Sequence, residues 1–354
     1  MSLFATYLQE LRANYPNPLD RQEWRGTQLG LLRAAQASSV HPESILSPEV
    51  KEQAENSEGR VFKIPVMKDT GDATITNVRS CTIGDMDSES GLVSVTWLTL
   101  VANLHMIPEQ YRKNAIGYLT DFDKKLRRIE RTIGKAIENN IYTKLDTDKS
   151  AVYGSTLVGD TATGAKYQLT GNAIQVAANQ RELFFNDVDA IQMADDFDLS
   201  DNLVVGSTNL LPSVRHYINQ GQANDENLSY QFNGMDFTFS NRVVDGAGKL
   251  ATGFAMPHGS IGLMERLNAD ALSGNTTTDG TEWSVERLER LGLNVGVMYR
   301  STCADLSNVQ GLEHLTASKV ERWQMSLDVA LVTPYNSDTV NNAGGIKKFE
   351  FTTA

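Results

Sequence analysis

Apolar positions recur at helical spacing in three stretches near the start of the chain. Leu3, Phe4, Tyr7, Leu8 and Leu11 mark an amphipathic helix that breaks at Tyr15-Pro16-Asn17-Pro18. A second helical stretch runs from about Leu19 to Gln36. A third begins at Ser47-Pro48-Glu49, with Ser as N-cap and Pro at the first helical position, and stops before Gly59. Short helices joined by Pro-rich breaks bury little against one another. They read as an arm lying on another surface.

The pattern changes at Arg60. Residues 61–68, 73–83 and 92–101 are rich in Val, Ile and Thr, which marks strands. Polar connections separate them, Lys68 to Asp72 and Gly84 to Gly91. Along 73–83 Thr, Asn, Arg and Ser alternate with the apolar positions, so one face is solvated or meets a polar partner. The expectation is an extended β-arm.

The longest regular element follows. Ile107-Pro108-Glu109 opens a helix expected to reach about Leu145, with Ala115, Leu119, Phe122, Leu126, Ile129, Ile133 and Ala136 in steps of four and three. The seam continues through Ile137, Ile141 and Leu145. Strand-rich sequence on both sides favours a helix laid across a sheet over a coiled coil.

Residues 153–171 are rich in Gly, Thr and Ala and read as a loop or domain crossing. A helix is expected next, with Ala173, Val176, Ala177, Gln180, Phe184 and Val188 on one side. Asn202–Gly206 reads as a short buried strand feeding a helix around Leu210–Gln220. Asn233-Gly234 between Phe232 and Met235 signals a two-residue hairpin, because both turn positions need positive φ. Val243–Gly246 hints at a further turn. Two late strands alternate cleanly: Leu293, Val295, Val297 and Tyr299, then Trp323, Met325, Leu327, Val329 and Leu331.

Composition narrows the class. The chain has 354 residues, 40% hydrophobic and 21% charged, enough for one large or two ordinary domains. No run approaches the ~20 apolar residues of a membrane span, and MSLFATYLQELRANYPNP does not read as a signal peptide. The chain is expected to be made and kept in a cytoplasm, or in something assembled there. Cys81 and Cys303 lack metal or redox spacing and read as two buried thiols. A net charge of −12 argues against wrapping nucleic acid with the whole surface, and suits a container whose lining does not stick to packed DNA.

No enzyme motif survives inspection. Gly159–Lys166 (GDTATGAK) departs from a phosphate loop, since Lys166 is displaced by one and Tyr167 stands where Ser or Thr should hold magnesium. His258-Gly259-Ser260-Ile261-Gly262 lacks the first Gly of a nucleophile elbow and reads as a turn entering a helix. The five histidines have no second ligand at useful spacing. Two acidic clusters, Asp85/Asp87/Glu89 and Asp195/Asp196/Asp198/Asp201, lack the Gly and Glu positions of a calcium loop and read as solvated loops. No cofactor or metal site is expected. The long helix carries Lys124, Lys125, Arg127, Arg128, Arg131 and Lys135. Such a run is commonly a solvated face. The functional alternative is an intersubunit contact, with Asp85, Asp87 and Glu89 of one copy resting on Lys124, Lys125, Arg128 and Arg131 of another.

The order of these elements resembles the major capsid proteins of tailed bacteriophages, whose Hong Kong 97-type fold encapsulins share. The resemblance covers nearly the whole chain and rests on order and local texture. It implies an α+β fold with an N-terminal arm at 1–59, an extended β-loop at 60–103, and a peripheral domain with its spine helix within 104–170. An axial domain would occupy about 171–315, holding NLVVGSTNLLPSVRHYINQG and KLATGFAMPHGSIGLMERL. The return strand KVERWQMSLDVALVTP and a C-terminal tail would fill 316–354. It also implies self-assembly into hexamers and pentamers of a virion shell built in the host cytoplasm. Portal, scaffold or decoration proteins would be partners, and packaged DNA would be enclosed without sequence-specific contact or any membrane. Some members crosslink a loop Lys to a neighbour's Asn; Lys63 and Lys68 lie in that region, without an identifiable partner. An encapsulin-like shell is the nearest alternative, then a hydrolase using Ser260 and His258, then a tail or decoration protein.

Overall fold

The structure is a computed structural model. It describes residues 29–42, 44–57, 59–68, 89–111, 114–159, 164–195, 202–220, 234–274, 280–308, 317–334 and 344–353, with a few isolated positions besides. The expected strand at 73–83, the first helix apart from Thr6 and Gln9, the start of the second, and Cys81 lie outside the described residues.

Helix α1 spans Gly30–Val40 and buries Leu31, Leu32, Ala34 and Ala35. Helix α2 spans Pro48–Glu55; the Ser47 hydroxyl accepts the Val50 N–H at 3.3 Å, as the N-cap pattern requires. Strands β1 (Val61–Lys68) and β2 (Glu89–Thr96) form an antiparallel ribbon in unbroken register, from Val61 opposite Thr96 to Lys68 opposite Glu89. The run expected as one strand over 92–101 is interrupted at Trp97. Beyond it β3 (Leu98–Met106) pairs with a different sheet. One residue out of the ladder lets the chain leave one partner and take another.

The long helix opens later than the Pro signal suggests. Pro108 starts only the short α3 (Pro108–Tyr111). Helix α4 (Ala115–Asp148, 34 residues) starts after Asn114, whose side chain accepts the Gly117 N–H at 2.9 Å. The following segment holds β4 (Val158–Gly159), β5 (Tyr167–Thr170) and β6 (Ala173–Val176), then α5 (Arg181–Ala194). The helix expected from Ala173 is therefore corrected to strand until Val176. Parallel pairing with a strand some 170 residues later overrides the local spacing.

Next come β7 (Asn202–Ser207), α6 (Leu211–Gln220), β8 (Gln231–Phe232), β9 (Met235–Ser240) and β10 (Lys249–Pro257). A hairpin is present where it was expected: Phe232 pairs with Met235 and Gly234 has φ 77°. After Pro257 a turn with Gly259 at φ 83° enters β11 (Gly262–Arg266), a strand where a helix was expected. The rest is α7 (Ala269–Ser273), β12 (Thr281–Leu288), β13 (Leu293–Ala304), β14 (Ser318–Val332) and β15 (Lys347–Thr352).

These elements fall into two compact units. One comprises residues 1–27, 97–137 and 264–330. Its sheet runs β11-β14-β13-β12, with β3 also paired to β14. Alternate residues of β14 (Trp323, Met325, Leu327, Val329) are buried, and Trp323 meets Phe122 of α4 edge-on at 5.4 Å between ring centres. The seam residues Leu119, Phe122, Leu126 and Ile133 are buried, as their spacing predicts.

The second unit comprises 28–96, 138–263 and 331–354. It holds the β1–β2 ribbon and an eight-stranded sheet in the order β4-β5-β6-β15-β10-β7-β9-β8. Phe184 and Phe185 of α5 pack on Phe349 and Phe351 of β15, with ring centres 4.9–6.0 Å apart. The last strand of the chain thus lies inside the sheet, parallel to β6 and antiparallel to β10. The fold is α+β.

Candidate intersubunit surfaces

The basic run on α4 divides once its neighbours are in place. Lys125 pairs with Asp121 at 2.8 Å and donates to the His105 carbonyl at 3.0 Å. Arg127 pairs with Asp123 at 2.6 Å. Burial pushes the Asp121 carboxyl up, but hydrogen bonds from Lys125 and Tyr111 and the charges of Lys125 and Arg128 hold it below its ordinary value. These two cations are occupied within their own unit. Lys124, Arg128 and Arg131 are exposed and make no ion pair among the described residues. At spacings of four and three they share one helix face.

The expected acidic counterpart is only partly visible. Asp85 and Asp87 lie outside the described residues, and so does the side chain of Glu89, whose backbone closes the ribbon opposite Lys68. Asp195 is corrected: it is a buried anchor where a solvated loop was expected. Its carboxylate accepts the Tyr153 and Gly154 N–H groups at 3.0 and 2.7 Å and pairs with Lys347, at side-chain exposures of 0% and 2%. The other three aspartates of that cluster are outside the described residues. Cys303 is likewise corrected, being exposed on β13 where a buried thiol was expected.

The ribbon has two chemically distinct faces. Direct pairing puts Phe62, Val95, Ile64 and Val93 on one side. Val61, Lys63, Pro65 and Leu92 occupy the other, where Val61 is 53% and Leu92 64% exposed. Two strands bury little alone, and an isolated hairpin is marginal in water. Near the ribbon's base a groove of about 260 Å³ is lined by Val93, Val95, Asn140, Thr143, Lys144 and Val332.

Three comparisons with known proteins bear on this arrangement. No protein-family model matches the chain, and no curated protein matches it. Solved structures do. A chain of Mycobacterium phage Che8 is similar at 10% identity and TM-score 0.47, covering 86% of this chain and 88% of that one. The capsid of an empty GTA particle is similar at 13% identity and TM-score 0.47, covering 97% and 98%. The holo-SrpI encapsulin of Synechococcus elongatus PCC 7942 is similar at 9% identity and TM-score 0.44, covering 86% and 88%.

Sequence reasoning missed the groups that fasten α1. Glu138 of α4 is fully buried; its carboxylate accepts the Leu32 N–H at 2.6 Å and a hydrogen bond from the Ser240 hydroxyl. At the other end of α1 the Ser38 and Ser39 hydroxyls accept the N–H groups of Ile261 and Leu263 at 3.0 and 2.6 Å. No local signal marks Glu138, which sits beside Ile137 in an otherwise apolar seam.

The hydrolase alternative rests on His258 and Ser260. His258 faces Asp236 at 3.3 Å and stacks on His41 at 5.4 Å. No hydrogen bond links it to the buried Ser260 among the described residues. No group of three His, Cys, Asp or Glu side chains able to hold a metal ion occurs among the described residues. No helix among them is long and apolar enough to cross a membrane.

Proposed function

We propose that this chain is a shell-forming structural protein, the major capsid protein of a tailed-phage head with a Hong Kong 97-type fold. The observation that carries this reading is the β1–β2 ribbon. Its backbone pairs only internally among the described residues, and Val61 and Leu92 stand exposed on one face. Ordering backbone costs ~1–2 kcal/mol per residue, so such an appendage needs a neighbouring subunit to bury against. The arm helices, the ribbon, the 34-residue helix and the 15-residue strand β14 follow one another in the expected order.

In this reading copies assemble as hexamers and pentamers into a closed shell, where repeated weak contacts add up. The acidic stretch Asp85, Asp87 and Glu89 of one copy meets a basic surface of the next. Lys124, Arg128 and Arg131, with Lys125 at their edge, supply one such surface. The shell encloses packaged DNA without reading its sequence, joins portal and scaffold or decoration proteins, and is built in the host cytoplasm. The role is structural, with no catalytic step.

Negative-stain microscopy of the purified chain, with its elution volume on a sizing column, tests this. Closed shells, tubes, or rings of five or six subunits are expected. A chain that stays monomeric at high concentration, alone and with lysate of its host, sinks the reading. Particles that copurify with an enzyme cargo in place of DNA would mark an encapsulin-like compartment.

A further inference from the structure

Asp195 and Lys347 meet from two elements that fix them independently. Asp195 ends α5, where its N–H donates to the Gln192 carbonyl at 3.1 Å. Lys347 opens β15 opposite Ala255 of β10, and the carbonyl of the preceding Ile346 accepts the Ser150 N–H at 2.9 Å. Both side chains are buried inside the second unit, and neither has another ionic partner among the described residues. Lys347 also lines a small cavity with Ile174, Phe184, Val188 and Phe349, so the pair has apolar neighbours.

Two backbone N–H groups, from Tyr153 and Gly154, donate to one carboxylate oxygen of Asp195, Oδ1, at 3.0 and 2.7 Å. A Cβ on Gly154 would fall 1.8 Å from the Ala194 carbonyl oxygen, so only Gly brings this N–H so close. The Lys347 Nζ contacts the other oxygen, Oδ2, and donates to the Ala151 carbonyl at 2.6 Å. Paired N–H donors on one oxygen, with an amine held at the other, are the parts of an acyl-transfer centre. In water an ammonium and a carboxylate do not condense, because solvation keeps both charged. Burial favours the neutral amine and acid. Fixed contact supplies the rest, since well-oriented reactants reach effective molarities of roughly 10⁵ M and above.

We propose that Lys347 and Asp195 form an autocatalytic modification site, joined by an intramolecular amide bond between Nζ and Cγ. The Nζ lone pair forms the bond to Cγ, and the Cγ–Oδ2 bond breaks. Nζ keeps one hydrogen, and the other two leave with Oδ2 as water. Ammonium plus carboxylate becomes amide plus water, so no oxidant or energy donor takes part. The ion pair is the unreacted state of the site. The amide joins residues 152 positions apart and keeps β15 attached to the end of α5 when the unit unfolds. It lies within one copy and does not depend on the shell reading.

Intact-mass spectrometry of the folded, then denatured and reduced full chain tests this. Once N-terminal processing is counted, the parent should weigh about 18 Da less than its sequence, one water. Digestion should release one branched peptide joining Lys347 to Asp195. K347R, which keeps the charge, should show its full sequence mass. D195N should lose about 17 Da instead, because its leaving group is ammonia. Parent chain at its full sequence mass overturns the proposal. So does a loss of about 18 Da that persists in K347R or D195N, which would place the dehydration elsewhere, as in a succinimide at Asp245-Gly246. The D195N arm keeps the test decisive even where K347R does not fold.

Discussion

The Glu138 carboxylate accepts the Leu32 N–H at 2.6 Å, joining residues 106 positions apart. Burial is the main influence and pushes this carboxyl up to about 7, against its ordinary 4.5. Hydrogen bonds from Ser240, Leu32 and Leu31 and the nearby Arg242 charge pull the other way. A carboxyl raised on folding favours the folded state most below 4.5, and that contribution is lost as pH rises through about 7. The dissociated chain should therefore lose up to about 3 kcal/mol between pH ~5 and pH ~8. E138Q, which keeps an acceptor for Leu32, should flatten that slope and be the more stable variant at the upper end. Parallel thermal-melt profiles for the two proteins would exonerate Glu138.

Lys347 and Asp195 form an ion pair with almost no exposure, and Lys347 also donates to the Ala151 carbonyl at 2.6 Å. Desolvation holds the Lys347 ammonium below its ordinary value despite the Asp195 charge. K347M strands a buried carboxylate and should cost about 3–5 kcal/mol in urea unfolding. The double variant K347M/D195L should recover much of that. A double variant no better than the single one would mean that Tyr153 and Gly154 need the carboxylate more than Lys347 does.

Gly30 opens α1 against β9, and a Cβ there would sit 2.2 Å from the Phe239 carbonyl oxygen. Backbone cannot yield as a side-chain tip can. G30A should destabilise the chain by about 1–3 kcal/mol and loosen α1, read as faster amide exchange at Leu31 and Leu32. Unchanged exchange would show that α1 shifts at no cost.

Trp323 contacts Phe122 and, at 5.3 Å between ring centres, Tyr299. W323A should cost about 3–5 kcal/mol, while Gln324→Ala, on the open face of the same strand, should cost under about 0.5 kcal/mol. Equal effects in urea titration would contradict the assignment of faces.

What the chain's own order decided is the set of elements whose partners are local or whose period is unambiguous. Phe122, Leu126, Ile133, Ile137, Ile141 and Leu145 keep helical spacing for six turns, and all are buried. Trp323 to Val329 keep a period of two, and Ser47 and Gly234 act within four residues of themselves. Tertiary structure decided the rest. Residues 173–176 read as helix until β15 pairs with them, and β15 itself is too short and too charged at Lys347, Lys348 and Glu350 to read as an internal strand. Burial of Glu138 and Asp195 depends on groups 106 and 152 residues away. One cross-strand row is invisible for the same reason: His105, Arg322 and Arg300 become neighbours only through strand register, which no local pattern encodes. Periodicity sets which face of an element is apolar, and long-range pairing sets which charges that face must accept.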